Sequence, residues 1–238
     1  MKLPLLICLS IITFQLPAQN FWKRNITGEG PIITRELNLK NFDGVHNGYA
    51  CDVYLSQGED YKVLVEGQEN IIDNLKFDIE DRTLKIKYDR MVRRASKVKI
   101  YITMPNLREI ALSGSGNMKT TNHFGNSNNL RVSLSGSGNV YLDIASRSID
   151  ARMSGSGSLK FAGASDDLEI SISGSGNLDA EDLKTGECSI SISGSGNASV
   201  YVSDRLEAKV SGSGKVRYRG DVAQVHSNVS GSGSVRSF

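Results

Sequence analysis

Three carboxylates in the second half of the chain have the type and spacing that chemistry on sugars would need. Asp179 and Glu181 lie in one repeat, Asp143 lies two repeats earlier, and Lys160 stands in the repeat between. If neighbouring repeats stack as strands about 4.8 Å apart, these side chains share one outer face. Glycoside hydrolysis uses two carboxyl groups at such a separation. Strands also expose mixed charges for solubility, and we expect this second role for the three acids.

Two tyrosines on the same expected face favour binding over catalysis. Tyr141 and Tyr201 occupy outward-facing positions of their repeats. An aromatic ring at the surface offers an apolar platform together with a polar edge. Both tyrosines are therefore candidate platforms for a sugar ring, an arrangement that suits an adhesin.

The densest charge of the chain lies between residues 85 and 99. Arg90, Arg93, Arg94 and Lys97 are its centre. Such a patch could hold an anionic glycan or a lipid head group. The alternative is a solvated loop and an edge strand that its charges protect from pairing, and we expect this alternative. The formal net charge of the whole chain is only +2, so charge gives no reason to expect nucleic acid as a partner.

The sequence carries no signature of a metal site or of a catalytic nucleophile. Calcium-binding β-rolls repeat Gly-Gly-x-Gly-x-Asp, whereas the corresponding loops here carry Ser and Asn. His46, His123 and His226 lack the spacing of zinc ligands. The abundant serines belong to a structural repeat and not to a strand–turn–helix elbow. We therefore predict no metal, no cofactor, no catalytic residue and no enzymatic activity.

A single repeat organises the elements that position these side chains. The tetrapeptide Ser-Gly-Ser-Gly begins at Ser113, Ser135, Ser154, Ser173, Ser193, Ser211 and Ser230. Counted from the first serine of each copy, positions −5, −3, −1 and +5 are mostly apolar, and the even positions are mostly polar. This alternation is typical of a strand with one buried face. Both glycines share the parity of the buried residues, so we expect them to face inward where the coil bends.

Stacking of the repeats follows from this pattern, because one repeat alone cannot bury its inner face. Each repeat is expected to form two strands and two corners. The sequence therefore predicts an all-β, β-helix or solenoid-like stack of about 19-residue repeats with an N-terminal β region. Equivalent residues would stack directly, which predicts an asparagine ladder at position +4 through Asn117, Asn139, Asn177 and Asn197. Cys188 occupies a −5 position and is expected to be a core residue. A bridge to Cys51 is the alternative to two buried thiols.

Three regions are expected along the chain. Residues 1–18 resemble a secretory signal peptide, with a basic start, an apolar run and a small residue at position 18. Residues 19–110 form an N-terminal β region, either as the first irregular coils or as a cap. Residues 111–238 form the repeat solenoid. We therefore expect an exported protein of the periplasm, the outer-membrane surface or the medium, with no transmembrane segment after cleavage.

Several segments together resemble a known family. They are residues 58–66, the run Thr83-Leu84-Lys85-Ile86, residues 98–105 and the repeated Ser-Gly-Ser-Gly-Asn. In combination they are similar to the "putative auto-transporter adhesin, head GIN domain" family. This resemblance implies a β-helix-like fold and export. We expect a non-enzymatic envelope or surface protein that binds or scaffolds, with a glycan or a cell-surface protein as partner. The alternatives are a carbohydrate-active enzyme and a purely structural spacer.

Overall fold

The structure is a computed structural model that describes residues 25–238, so the expected signal peptide lies outside the described residues. The N-terminal region contains nine strands and one short helix. These elements are β1 (Ile26–Thr27), β2 (Ile32–Leu37), β3 (Gly44–Asn47), β4 (Asp52–Gln57), β5 (Lys62–Gln68), α1 (Glu69–Asp73), β6 (Leu75–Glu80), β7 (Thr83–Tyr88), β8 (Val92–Arg94) and β9 (Lys99–Met104).

The repeats form a β-solenoid of about seven turns, as the alternating pattern predicts. Its strands are β10 (Glu109–Gly114), β11 (Asn117–Thr120), β12 (Phe124–Gly136), β13 (Asn139–Gly155), β14 (Ser158–Gly174), β15 (Asn177–Gly194), β16 (Asn197–Gly212), β17 (Lys215–Arg219), β18 (Gln224–Ser230) and β19 (Ser234–Ser237). Successive coils pair in parallel, and equivalent residues are in register. Ile149 pairs with Leu168, for example, and Leu168 pairs with Cys188.

Each complete coil is one long bent strand, and the expectation of two strands per repeat was wrong for the central coils. Strands β13 to β16 each run from position +4 through the expected second corner to the next Ser-Gly. The hydrogen-bonded ladder passes through this bend, because Gly163 takes a φ of 110° and small register shifts follow Lys160 and Ala180. Local bulges bend a strand without ending it.

The buried rows confirm the predicted core and also show where it ends. The residues at positions −3, −1 and +5 up to Val216, and those at position −5 from Leu130 to Leu206, are no more than 3% exposed. In the last repeat, Val225 and Val229 are each 39% exposed and β18 is exposed along its whole length. No described strand pairs with the outer edge of β18, so the side chains of this coil are covered on one side only.

The two glycines of each corner have different roles, and the expectation that both face inward holds only for the second. The second glycine is buried in every complete coil, and a Cβ on Gly176 would overlap the Met153 side chain. The first glycine is partly exposed and takes a φ between 112° and 126° in all seven copies. A Cβ at Gly174 would lie 2.6 Å from the carbonyl oxygen of Gly155 in the preceding coil. Backbone conformation and close coil contact therefore both require glycine there.

The N-terminal region contributes both coils and a cap. Strands β3 and β4 pair in parallel with β10 and β11, and β7 and β9 pair in parallel with β3 and β4 on the outer side. These pairs make two further coils. Strands β6, β5 and β2 then add in antiparallel fashion. These antiparallel strands at the end of the solenoid cover the parallel edge that would otherwise be open to pairing.

The asparagine ladder forms in two separate pairs. The Asn139 amide donates to the Asn117 side-chain oxygen at 2.8 Å, and Asn197 donates to Asn177 at 3.0 Å. Ser158 stands between the two pairs in the same row, and its side chain is too short to continue the ladder. The first pair extends instead to the N-terminal coil, where Asn117 donates to the Asp52 carboxylate at 2.6 Å.

Both described cysteines are buried free thiols. Cys188 lies in the −5 row between Leu168 and Leu206, and the Cys51 thiol donates to the Asn47 side-chain oxygen at 3.2 Å. Burial raises the pKa of each thiol to about 12.

We expect neither thiol to react with Ellman's reagent in the folded protein at pH 8. The thiolate is the nucleophile, and at pH 8 a pKa of about 12 leaves almost none of it. The measurement is the absorbance of the released thionitrobenzoate after mixing with the reagent, with and without 6 M guanidinium. We expect both described thiols to react once the chain is unfolded. Stoichiometric reaction of either thiol without denaturant would contradict the buried position.

Candidate functional site

Two of the three carboxylates predicted for the acidic face are held by neighbouring residues. The row Tyr141, Lys160, Asp179 is in register across three coils. The Lys160 ammonium lies 2.9 Å from the Asp179 carboxylate. Asp143 is instead in register with Ala162, and its carboxylate lies 2.7 Å from the ring of His123. The structure therefore brings Asp179 to Lys160 and leaves Asp143 in another row.

The electrostatics of this face do not favour acid catalysis. Burial raises the pKa of Asp179, but hydrogen bonds from Lys160 and from the Glu181 backbone N–H outweigh it and hold the net pKa below its ordinary value. A general acid of a glycosidase needs a raised pKa. Glu181 lies where the register shifts, and its backbone oxygen accepts a hydrogen bond from Arg219 at 2.8 Å. Residues 25–238 also contain no group of three or more potential metal-ligating side chains.

The two candidate tyrosines do not form one platform. Tyr141 is 38% exposed on β13, and Tyr201 lies on β16, three coils further along the axis. Three steps of about 4.8 Å separate them by roughly 14 Å, which exceeds the size of one sugar ring. The Arg219 guanidinium lies 5.8 Å from the centre of the Tyr201 ring and covers it. Only Tyr141 is therefore available as a platform.

The basic patch is divided by its contacts. The Lys97 ammonium forms an ion pair with Asp52 at 2.8 Å. Arg90, Arg93 and Arg94 are exposed, and within residues 25–238 their guanidinium groups have no ion pair. The three arginines are thus the part of the patch that is free to meet a ligand.

A groove along the solenoid was not predicted from the sequence. It has a volume of about 720 Å³ and crosses strands β12 to β16 and β18. The residues that line it occupy positions −2, −1 and 0 of successive repeats. The hydroxyls that line it are those of Ser133, Ser135, Ser154, Ser171, Ser173, Ser191, Ser193, Ser211 and Ser230. Serines at position −2 of three repeats were the available signal in the sequence.

The groove presents hydroxyl groups at a regular spacing and with little net charge. Equivalent serines of adjacent coils, such as Ser171 and Ser191, are in register and so lie about 4.8 Å apart. The two cations of the groove are compensated by acids on their own strands. Arg152 donates two hydrogen bonds to Asp150, at 3.1 and 2.9 Å, and Lys209 lies 2.7 Å from Glu207. The exposed lining is mostly carbon, with the serine hydroxyls set along it, so this surface suits an extended and uncharged ligand.

The fold and the repeat match one family over most of the chain. Residues 41–222 match the family described as "Putative auto-transporter adhesin, head GIN domain". The chain belongs to this family. The resemblance drawn from the Ser-Gly-Ser-Gly-Asn repeats is therefore confirmed.

Several solved structures share the fold. A protein from Bacteroides fragilis described as a putative adhesin is 25% identical, with a TM-score of 0.86 over 90% of this chain and 100% of its own. One from Parabacteroides distasonis described as a putative lipid binding protein is 26% identical, with a TM-score of 0.76 over the same shares. A putative adhesin from Parabacteroides merdae is 24% identical, with a TM-score of 0.71 over 90% and 99% of the two chains. No curated protein matches the sequence.

Proposed function

We propose that this chain is a non-enzymatic, exported surface protein that binds an extended glycan in its serine-lined groove. The observation that carries the proposal is the groove itself, which runs across six strands with a volume of about 720 Å³. Five steps between those strands give it a length of roughly 24 Å, enough for several sugar units. The adhesin descriptions of the family and of the Bacteroides fragilis relative support a binding role at the cell surface.

The chemistry of the groove fits sugars better than charged ligands. Serine hydroxyls both donate and accept hydrogen bonds, as sugar hydroxyls do. The backbone of the lining strands is already paired between coils, so it stays rigid when a ligand enters. A rigid surface loses little conformational entropy on binding. Both groove cations are held by acids, so they do not select an anionic chain.

A glycan array on the purified protein tests the proposal, with a hydrolysis assay on the same polysaccharides. We expect binding without turnover. Ser171→Tyr and Ser191→Tyr place bulky rings in the middle of the groove, and each is expected to weaken binding at least tenfold. Ser199→Tyr is the matched control, because it lies in the row of Tyr141 on the other face and so leaves the groove open.

Three results would contradict the proposal, and they differ in what they point to. Binding that survives both groove variants and is lost in Tyr141→Ala would move the site to the acidic face. Turnover that disappears in Asp179→Asn would replace the binding protein with a carbohydrate-active enzyme. Silence of the native protein in both assays would favour a structural spacer or a protein partner.

A further inference from the structure

The free arginines lie on a small ribbon that is separate from the main sheet. Among the strands of residues 25–238, β8 pairs only with β1, and these two strands form a two-stranded sheet of their own beside the 17-stranded sheet. Residues 89–94, which comprise β8 and the three residues before it, are named here the arginine loop. Between its arginines stands Met91, which is 71% exposed. The loop thus combines three guanidinium groups with an exposed apolar side chain.

The backbone of the arginine loop is fixed although its side chains are free. Asn74, which is only 4% exposed, donates to the Arg90 carbonyl at 2.9 Å and accepts from the Arg90 N–H at 3.0 Å. The Met91 carbonyl accepts from the Ile26 N–H at 2.9 Å. The Tyr49 hydroxyl donates to the Val92 carbonyl at 3.4 Å. These hydrogen bonds from neighbouring elements fix the backbone on both sides of Met91, and the Met91 side chain is exposed to solvent.

The charge of this ribbon differs from that of the chain as a whole. Residues 26–30 and 87–97 contain five cations and two acids. The cations are Lys87, Arg90, Arg93, Arg94 and Lys97, and the acids are Glu29 and Asp89. The chain as a whole has a formal net charge of +2. An anionic surface would therefore attract this ribbon more strongly than the remainder of the protein.

We propose that the arginine loop docks the protein on an anionic lipid bilayer, with Arg90, Arg93 and Arg94 at the lipid phosphates and Met91 in the interface. Cationic side chains near an anionic membrane surface each contribute to binding, and an apolar side chain among them gains by leaving water. A soluble anionic polymer would use the arginines but would give Met91 no apolar layer to enter. The exposed methionine therefore favours a bilayer. This docking site is distinct from the groove and does not depend on it.

Vesicle sedimentation with the full chain tests this proposal. The quantity measured is the excess of binding to phosphatidylglycerol vesicles over binding to phosphatidylcholine vesicles. Residues 1–24 are identical in every variant, so their contribution is the same in each comparison. The triple variant Arg90→Gln, Arg93→Gln, Arg94→Gln is expected to lose roughly 100-fold in apparent affinity, which corresponds to about 1 kcal/mol for each arginine. Met91→Ser is expected to lose roughly threefold on vesicles and nothing on heparin, an anionic polymer without an apolar layer.

A matched charge control separates a local effect from a global one. Lys119→Gln, Arg147→Gln, Lys184→Gln removes three exposed cations from the solenoid and changes the net charge by the same amount. This control should keep the vesicle binding of the native protein. Ser191→Tyr, which changes the groove, should keep it as well. The vesicle test therefore remains valid if the groove proposal fails. Circular dichroism melting should be unchanged in all variants, since the replaced side chains are exposed.

Three outcomes would overturn the proposal. Equal binding of the native protein to both kinds of vesicle would do so, and so would equal losses in the two triple variants. Heparin binding as tight as vesicle binding, with no effect of Met91→Ser on vesicles, would assign the arginine loop to an anionic polymer instead.

Discussion

Replacing Ile170 by aspartate is expected to lower the free energy of unfolding by about 5 kcal/mol at pH 7. Ile170 is 1% exposed and lies in register between Ala151 and Ile190 in the middle of the solenoid. The variant loses the buried apolar side chain and places a carboxyl group among apolar residues of the core such as Ala151 and Ile190. Urea denaturation followed by circular dichroism measures the change.

The same substitution one residue later tests the parity of the strand. Ser171 is exposed on the opposite side of β14, beside Arg152 in the neighbouring coil. Ser171→Asp should therefore change the free energy of unfolding by less than about 0.5 kcal/mol. Comparable losses in Ile170→Asp and Ser171→Asp would contradict the alternation on which the solenoid rests.

The pH dependence of the Ile170→Asp variant has a defined sign. Burial disfavours the charged form, so the aspartate pKa in the folded protein should lie above its unfolded value of about 3.9. A group with a raised folded pKa favours the folded state below the unfolded pKa, and this contribution is lost as pH rises toward the folded pKa. Ile170→Asn is the uncharged reference. Comparison with it cancels the pH dependence that comes from the other titratable groups of the protein. The aspartate variant should therefore be less stable relative to the asparagine variant at pH 7 than at pH 4.

The fold could be predicted from sequence because one period governs most of the chain. Rows such as Leu168, Cys188 and Leu206 alternate with polar residues, and strand geometry turns that alternation into a buried face. The second corner could not be predicted in the same way. A turn-like run such as residues 163–166 ends a strand in most folds, whereas here the coils on either side keep it in the ladder. The N-terminal coils lack the repeat, so the order in which their strands pair could not be predicted from the sequence.

The candidate sites were harder to predict, because surface chemistry depends on which rows meet. Periodicity places Asp143 and Asp179 on an outer face, but the two side chains lie in neighbouring outward rows. As a result Asp143 contacts His123, whereas Asp179 contacts Lys160. The register shift after Ala180 then moves Glu181 out of its expected position. The groove is lined by rows −2 to 0 of six strands. No single residue type predicts the groove, since serine is common in every part of the repeat.

Replacing Gly174 by alanine is expected to lower the free energy of unfolding by about 3 kcal/mol. Gly174 has a φ of 117°, a region that residues with a Cβ rarely adopt. An added Cβ would meet the carbonyl oxygen of Gly155 at 2.6 Å, and that oxygen accepts the Ser175 N–H that ties the two coils together. The backbone cannot move away without breaking the ladder. Urea denaturation monitors the loss, and hydrogen exchange shows whether it spreads to both neighbouring coils.

Gly125→Ala is the matched control for this loss, because it adds the same methyl group without the same obstacles. A Cβ at Gly125 would have no atom within 4 Å, and its φ lies outside the left-handed range. Alanine also restricts the unfolded chain, so this variant should be unchanged or up to about 1 kcal/mol more stable. If Gly174→Ala were as stable as Gly125→Ala, the corner glycines would not be required by conformation or coil contact. Their sevenfold recurrence would then need an explanation at the surface, where the adjoining serines line the groove.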